Sequence, residues 1–424
     1  MDSGDTAWML ASSALVLLMA PGLAFFYGGM VRAKSVLNMM MMSFMAMAIV
    51  PVVWFLYAYS LAFDDDAAGG LIGGLGNVGL KGITPDSLTG TIPTYVFIVF
   101  QLTFAIVTVA LISGAVADRM RFAAWALFVP VWLTIVYAPV AHWVFAFDGE
   151  DTQGGWISNK LGALDFAGGT VVEIGSGASA LALALVIGKR VGWKRDPMRP
   201  HNLPSVLLGA GLLWFGWLGF NAGSALGANQ LASLALINTV AAGAAAMLGW
   251  LAVEVLRDGK GTSFGAASGV VAGLVAITPS CGSVSPMGAL VVGAVAGGVC
   301  AFAIGLKFKL GYDDSLDVVG VHLVGGLVGT LLIGLLASNV AIELLGFGQP
   351  GLFYGGGLDQ LGKQVVAAGA VLAYAFTCTY VIATVIDKLI GLRVDEEHEV
   401  TGIDQVEHLE TAYDHVGTAT GGLG

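Results

Sequence analysis

Hydrophobic and polar positions divide the chain into long apolar runs separated by short polar breaks. A helix needs about 20 apolar residues, at 1.5 Å per residue, to cross a hydrocarbon core about 30 Å thick. Eleven runs meet or approach that length: Ala7–Tyr27, Leu37–Phe63, Thr94–Val116, Ala123–Val144, Gly168–Ile187, Leu203–Gly223, Ala232–Leu256, Gly265–Ile277, Met287–Ile304, Val318–Ala337 and Val365–Ile390. The eighth is short. The pattern predicts an all-α polytopic membrane protein with eleven transmembrane helices. The first run opens the chain with MDSGDTAW, which lacks the basic start of a signal peptide, and is read as a retained helix. Residues 1–390 are expected to form the membrane domain.

Residues 391–424 are different material, with eight carboxylates against one Arg. Such a segment cannot span lipid. It reads as an acidic cytoplasmic tail, and its composition favours a solvated chain over a docking segment.

Composition agrees with this division. Of 424 residues, 57% are hydrophobic and 11% charged, well below the roughly 25% of soluble proteins. The 62 glycines are scattered through the apolar runs, where small residues let helices approach closely in lipid. Orientation follows from the basic residues. With the N-terminus outside, 15 of 18 Lys and Arg fall on the cytoplasmic side, leaving Lys81, Lys160 and Lys363 outside. N-out, C-in is the expected arrangement. Cys281, Cys300 and Cys378 show neither metal spacing nor a pairing pattern, so no cofactor is expected. No nucleotide loop or nucleophile–base pair supports an enzyme, and no nucleic-acid partner is expected.

Eleven helices divide into two five-helix halves and one extra, and an odd number per half requires the second to be inverted. A weak echo appears in DFAGGTVVEIGSG after Asp165 and DVVGVHLVGGLVG after Asp317. Both Asp residues read as helix N-caps. Ionisable residues deep in a bilayer are functional candidates by default. Glu173, about 12 Å along the helix from Asp165, and His322 qualify, as a mid-membrane pair or as a structural hydrogen bond between helices. His142 reads as interfacial, and Glu254, near Arg257 and Lys260, as a paired surface carboxylate. Phe100, Phe104, Trp217 and Phe220 have spacings that suit packing as well as a pore.

The segments PGLAFFYGGMVRAKSVLN, FQLTFAIVTVALISGAVADRMRF, ALDFAGGTVVEI, WLGFNAGSA, TPSCGSVSP, GVHLVGGLVG and GLRVDEEHEVTGID resemble, in order, the ammonium transporter (Amt/Mep/Rh) family of bacterial type. The resemblance implies a homotrimer in the cell inner (plasma) membrane, each subunit with a narrow hydrophobic pore for ammonium or ammonia. It places Trp217 and Ser224 at an outer recruitment site, Phe104 and Phe220 as stacked rings closing the pore, and Asp165 at the outer vestibule. Glu173 stands where most members have the first of two pore histidines, and His322 matches the second. Some fungal relatives carry an acidic residue there. Phe145 falls where many members have an outer Trp, with Trp143 two residues earlier. Function then divides between an ammonium transporter moving net charge, an electroneutral ammonia or gas channel, and a sensor signalling through its tail. The family also implies a cytoplasmic PII-type signalling partner and a tail packed beneath neighbouring subunits.

Overall fold

The computed structural model describes residues 1–149 and 152–413. Among them, ten helices are long and apolar enough to cross a membrane: α1 Ser3–Met30, α2 Ala33–Phe63, α3 Thr94–Val116, α4 Phe122–Phe145, α5 Gly169–Ile187, α6 Leu203–Gly223, α7 Gln230–Asp258, α9 Pro286–Leu310, α10 Val319–Leu336 and α11 Asp359–Ile390. The apolar helix α8, Ser263–Ile277, has 15 residues. It begins beside the end of α7 and stops at the depth of Trp217, whose indole donates to Thr278. The buried turn Thr278–Val284 continues from there, which is why the apolar run is short.

The polar breaks supply helix caps. Asp2, Asn202, Asn229, Thr262 and Ser285 each accept a backbone N–H three residues ahead, opening α1, α6, α7, α8 and α9. Proline shapes two helices. Pro51 in α2 and Pro130 in α4 each remove a backbone donor, and a wider π-helical turn follows, at Trp54–Ala58 and Leu133–Tyr137. Helix α3 runs through the centre of the bundle and is buried over nearly its whole length. It packs on α1, α2 and α5, while α11 packs along α5 and α10.

One end of the bundle carries the N-terminus, where Asp5 accepts from Thr91 Oγ1 (2.6 Å) and the Ala228 N–H (2.8 Å). A two-stranded ribbon, Leu88–Thr89 with Ile92–Pro93, lies on this amino-terminal face. His142 at this end is fully buried: Nδ1 contacts the Ala62 carbonyl at 3.0 Å and Nε2 lies 3.4 Å from Asp66. The interfacial reading is corrected, because the loop after α2 folds back over the end of α4.

The opposite end carries the tail. Residues 391–413 pack against their own chain and do not extend into solvent as composition suggested. The Leu392 carbonyl accepts from the Arg121 N–H, and the Val394 N–H donates to the Arg119 carbonyl. Asp404 accepts from the N–H groups of Leu37 (3.0 Å) and Asn38 (2.8 Å) near the start of α2. Glu407 does the same for Phe122 at the start of α4 (3.0 Å). Glu399, fully buried, accepts from the Val191 N–H and pairs with Arg393 at 2.6 Å. A helix N-terminus presents unpaired donors and positive dipole ends, so an acidic tail finds partners there. Residues 414–424 of the predicted tail lie outside the described residues. Glu254 is corrected as well. It is buried and accepts from Trp250 Nε1 and the Thr262 N–H, while Arg257 pairs with Asp258.

Candidate functional site

The DFAGG sequence enters α5 through an irregular turn. Asp165 Oδ1 accepts from the N–H groups of Gly168 (2.8 Å) and Gly169 (2.7 Å), and Oδ2 from the Thr170 N–H (2.7 Å) and hydroxyl. One carboxylate thus satisfies the donors that open the helix. The first turn, Gly169–Ile174, is π-helical and contains Glu173. Helix α10 opens in the same way, with a π-helical turn at Val319–Leu323 containing His322. Such turns interrupt the regular ladder and recur at functional sites.

A cavity of about 460 Å³ opens on the amino-terminal face, lined in part by Gln101, Phe104, Phe145, Asp165, Phe166 and Ser224. Phe104 and Phe220 close its floor. Their ring centroids lie 4.3 Å apart, and both side chains are essentially inaccessible. Deeper in the bundle, His322 Nδ1 meets Glu173 Oε2 at 2.7 Å, and both side chains are buried. Glu173 Oε1 is also buried and has no hydrogen-bond partner among the described residues. Two close approaches hold this pair. A Cβ at Gly177 would overlap the Leu323 backbone, and one at Gly326 would lie 2.9 Å from the Glu173 Cβ. Each glycine sits four residues beyond one member of the pair and lets the other helix approach.

On the far side, His322 lines a small cavity with Tyr27, Ser268 and Asp317. That cavity shares Met30, Leu316 and Asp317 with a pocket of about 410 Å³ rimmed by Arg190, Lys194, Arg195 and Lys307. An acidic opening, a phenyl constriction, a buried polar pair and a basic opening therefore follow one another through the bundle.

The model of the Ammonium Transporter Family matches residues 7–413. The chain belongs to this family. The ammonium transporter of Mycobacterium tuberculosis (strain H37Rv) is 61% identical over 433 residues, covering 97% of this chain and 91% of the relative. That of Bacillus subtilis (strain 168) is 47% identical over 416 residues, covering 97% and 99%. The crystal structure of Saccharomyces cerevisiae Mep2 superposes with a TM-score of 0.85 at 36% identity, covering 94% of this chain and 88% of that one. A protein titled Sensor Amt Protein superposes at 0.87 with 28% identity, covering 96% and 98%. The family and its curated relatives are transporters, and the chain is a multi-pass membrane protein, not an enzyme.

Within this ammonium transporter fold, the structure brings Phe104, Phe145, Asp165 and Ser224 to one vestibule and sets Phe220 beneath it. It does not bring Trp217 there. Helix α6 runs toward the amino-terminal face, so a residue three positions before Phe220 lies one turn deeper. The Trp217 indole is 2% exposed, 5.3 Å from the Phe220 ring, and hydrogen-bonded to Thr278 Oγ1 at 2.8 Å. Trp143 does not take the outer position either. It donates to the Leu71 carbonyl and packs on Trp156 and Tyr374. The aromatic side chain at the vestibule from this part of α4 is Phe145. Sequence reasoning missed Gln101, which carried no signal beyond its place in FQLTF.

The cap of α10 is a second correction. Asp317 pairs with Lys307 at 2.6 Å, and Asp314 accepts the Val319 N–H at 2.7 Å. Asp314 stands eight residues before His322, as Asp165 stands eight before Glu173, and that equal spacing was the available signal. Burial pushes the Asp314 carboxyl up from an ordinary 3.8 to about 6, with the Lys307 charge opposing and that of Asp317 reinforcing the shift. A raised folded-state value means that the protonated form favours folding. The contribution is complete below about pH 4 and is lost as pH rises through 6. Thermal unfolding of the wild type should therefore fall relative to Asp314→Asn between pH 4 and pH 7. A pH-independent difference between the two proteins would contradict this assignment.

Proposed function

We propose that the chain conducts ammonium across the cell inner membrane, with the N-terminus outside, the tail cytoplasmic and all eleven helices crossing. The observation that carries this reading is the Glu173–His322 pair, 2.7 Å apart, beyond a floor of two packed phenyl rings. A bare cation loses its hydration at such a constriction at great cost, whereas neutral ammonia crosses cheaply. A cation that can shed a proton is thereby separated from one that cannot. In this mechanism the Asp165 carboxylate and the faces of Phe104 and Phe145 attract ammonium at the vestibule, with the Ser224 hydroxyl as a polar contact. The ammonium N–H bond breaks near the rings and its proton passes to the relay formed by Glu173 and His322, while neutral ammonia crosses the constriction and takes the proton back beyond the pair.

The equal spacings Asp165–Glu173 and Asp314–His322, and the reciprocal glycines, support two inverted five-helix halves followed by α11. Homotrimeric assembly belongs to the same proposal. So does a PII-type signalling partner at the tail face, where the packed tail forms part of the surface. Deleting the residues after Arg393 should abolish binding of that partner in a pull-down of the solubilised transporter; undiminished binding would refute a tail-dependent contact.

The deciding experiment is an ammonium-jump current from purified protein in liposomes on a solid support. A current whose decay slows with fewer proteins per liposome establishes sustained charge movement. A brief signal independent of protein density would show cation binding without net transfer, and would favour an electroneutral channel.

A further inference from the structure

We propose that Gln364 of α11 is a positioning residue for the vestibule, holding the backbone that presents Asp165. The proposal rests on the reading of that vestibule as the ammonium entry. Gln364 and Gln360, one turn apart on α11, are completely buried. A buried primary amide is tolerated when its two donors and two acceptor sites are matched. Gln364 meets all four. Oε1 accepts from the Leu164 N–H at 2.7 Å and from Gln360 Nε2 at 3.0 Å. Nε2 donates to the carbonyls of Leu164 at 2.7 Å and Thr330 at 3.3 Å.

One side chain therefore grips both the N–H and the C=O of the residue immediately before Asp165. A two-point grip fixes the orientation of the backbone as well as its distance. Leu164 lies in an irregular segment between helices, where no ladder would otherwise satisfy a buried peptide group. Its side chain is buried against Ile333 and Ala337 at the end of α10. Through Thr330, the same amide ties that segment to the helix bearing His322. Asp165 must receive its four donors within hydrogen-bond reach while lining the vestibule, so a displaced Leu164 moves the carboxylate. In this way α11 acts as a strut for the first turn of α5.

The test uses full-length Gln364→Met in liposomes, a side chain of similar length with no hydrogen bonds to offer. Small misplacements of a binding group have large effects, so the ammonium concentration giving half-maximal current should rise roughly tenfold. A loss of folded protein would instead lower the maximal current and leave the half-saturation value unchanged, and that result would overturn the proposal. If Gln364→Met does not fold, Gln360→Met keeps the Gln364 side chain and removes its 3.0 Å support, together with the Gln360 contacts to the Gly162 carbonyl and the Gln349 N–H. It should raise the half-saturation value by a smaller factor, and an unchanged value overturns the proposal. If the wild type passes no ammonium-dependent current, the conduction reading fails by itself. Hydrogen exchange at the amides of Leu164–Thr170 then decides the positioning role: protection lost in the variant supports it, and protection retained refutes it.

Discussion

A Glu173→His variant should retain ammonium-dependent current and lose most of any current carried by potassium. In the wild type, Glu173 places a carboxylate in the buried part of the pathway, with Oε1 lacking a hydrogen-bond partner among the described residues. A negative charge there attracts any monovalent cation. At about 4 Å and an effective dielectric constant near 20, the attraction is worth about 4 kcal/mol, much of it offset by the cation's dehydration. Two imidazoles supply no such charge when neutral. The variant should therefore depend more strictly on deprotonation, and its ratio of potassium to ammonium current should fall at least roughly tenfold, equivalent to about 1.4 kcal/mol. Glu173→Gln, which keeps the shape but removes the charge, should move the ratio in the same direction. Currents measured in both ions on one preparation decide the matter, and an unchanged ratio would refute the role given to the charge.

The second large effect is expected at Asp165. Replacing it with Ala leaves three backbone N–H groups and the Thr170 hydroxyl without their acceptor at a buried turn. Each unsatisfied buried donor costs about 1–3 kcal/mol. The π-helical turn that carries Glu173 should then reorganise and break its register with His322. Current should be lost and thermal unfolding should come at lower temperature. Asp165→Asn keeps an acceptor for part of the set and should be less damaged in both measurements. Wild-type current from Asp165→Ala would show that the carboxylate neither builds the turn nor serves the vestibule.

The helices were legible because a lipid-facing helix must be apolar along its whole length, and each predicted run lies on a helix to within a few residues. Asp165, Glu173 and His322 were legible because charge is rare at such depth. Direction was harder to read. Trp217 and Phe220 share one motif, and only the sense in which α6 runs places the indole beneath the rings. Asp314 and Asp317 both precede α10, and the choice between them depends on Lys307, which approaches from the end of α9. The tail carboxylates were read as solvated charge because their donors lie on helices far away in the chain. Local sequence reports which groups need partners, and contacts between distant segments determine which partners they meet.

Those tail contacts also set an order of assembly. Asp404 closes the start of α2 through Asn38, 366 positions earlier in the chain. At roughly 5–20 residues per second, a ribosome needs roughly 20–70 s to synthesise that interval. Throughout it, the first helices lie in the membrane with donors that only water or lipid headgroups can satisfy. The tail-facing end of the bundle can therefore be completed only once Asp404 has been made, and a ribosome stalled before Asp404 would leave helices that cross the bilayer but are not yet fastened at that end.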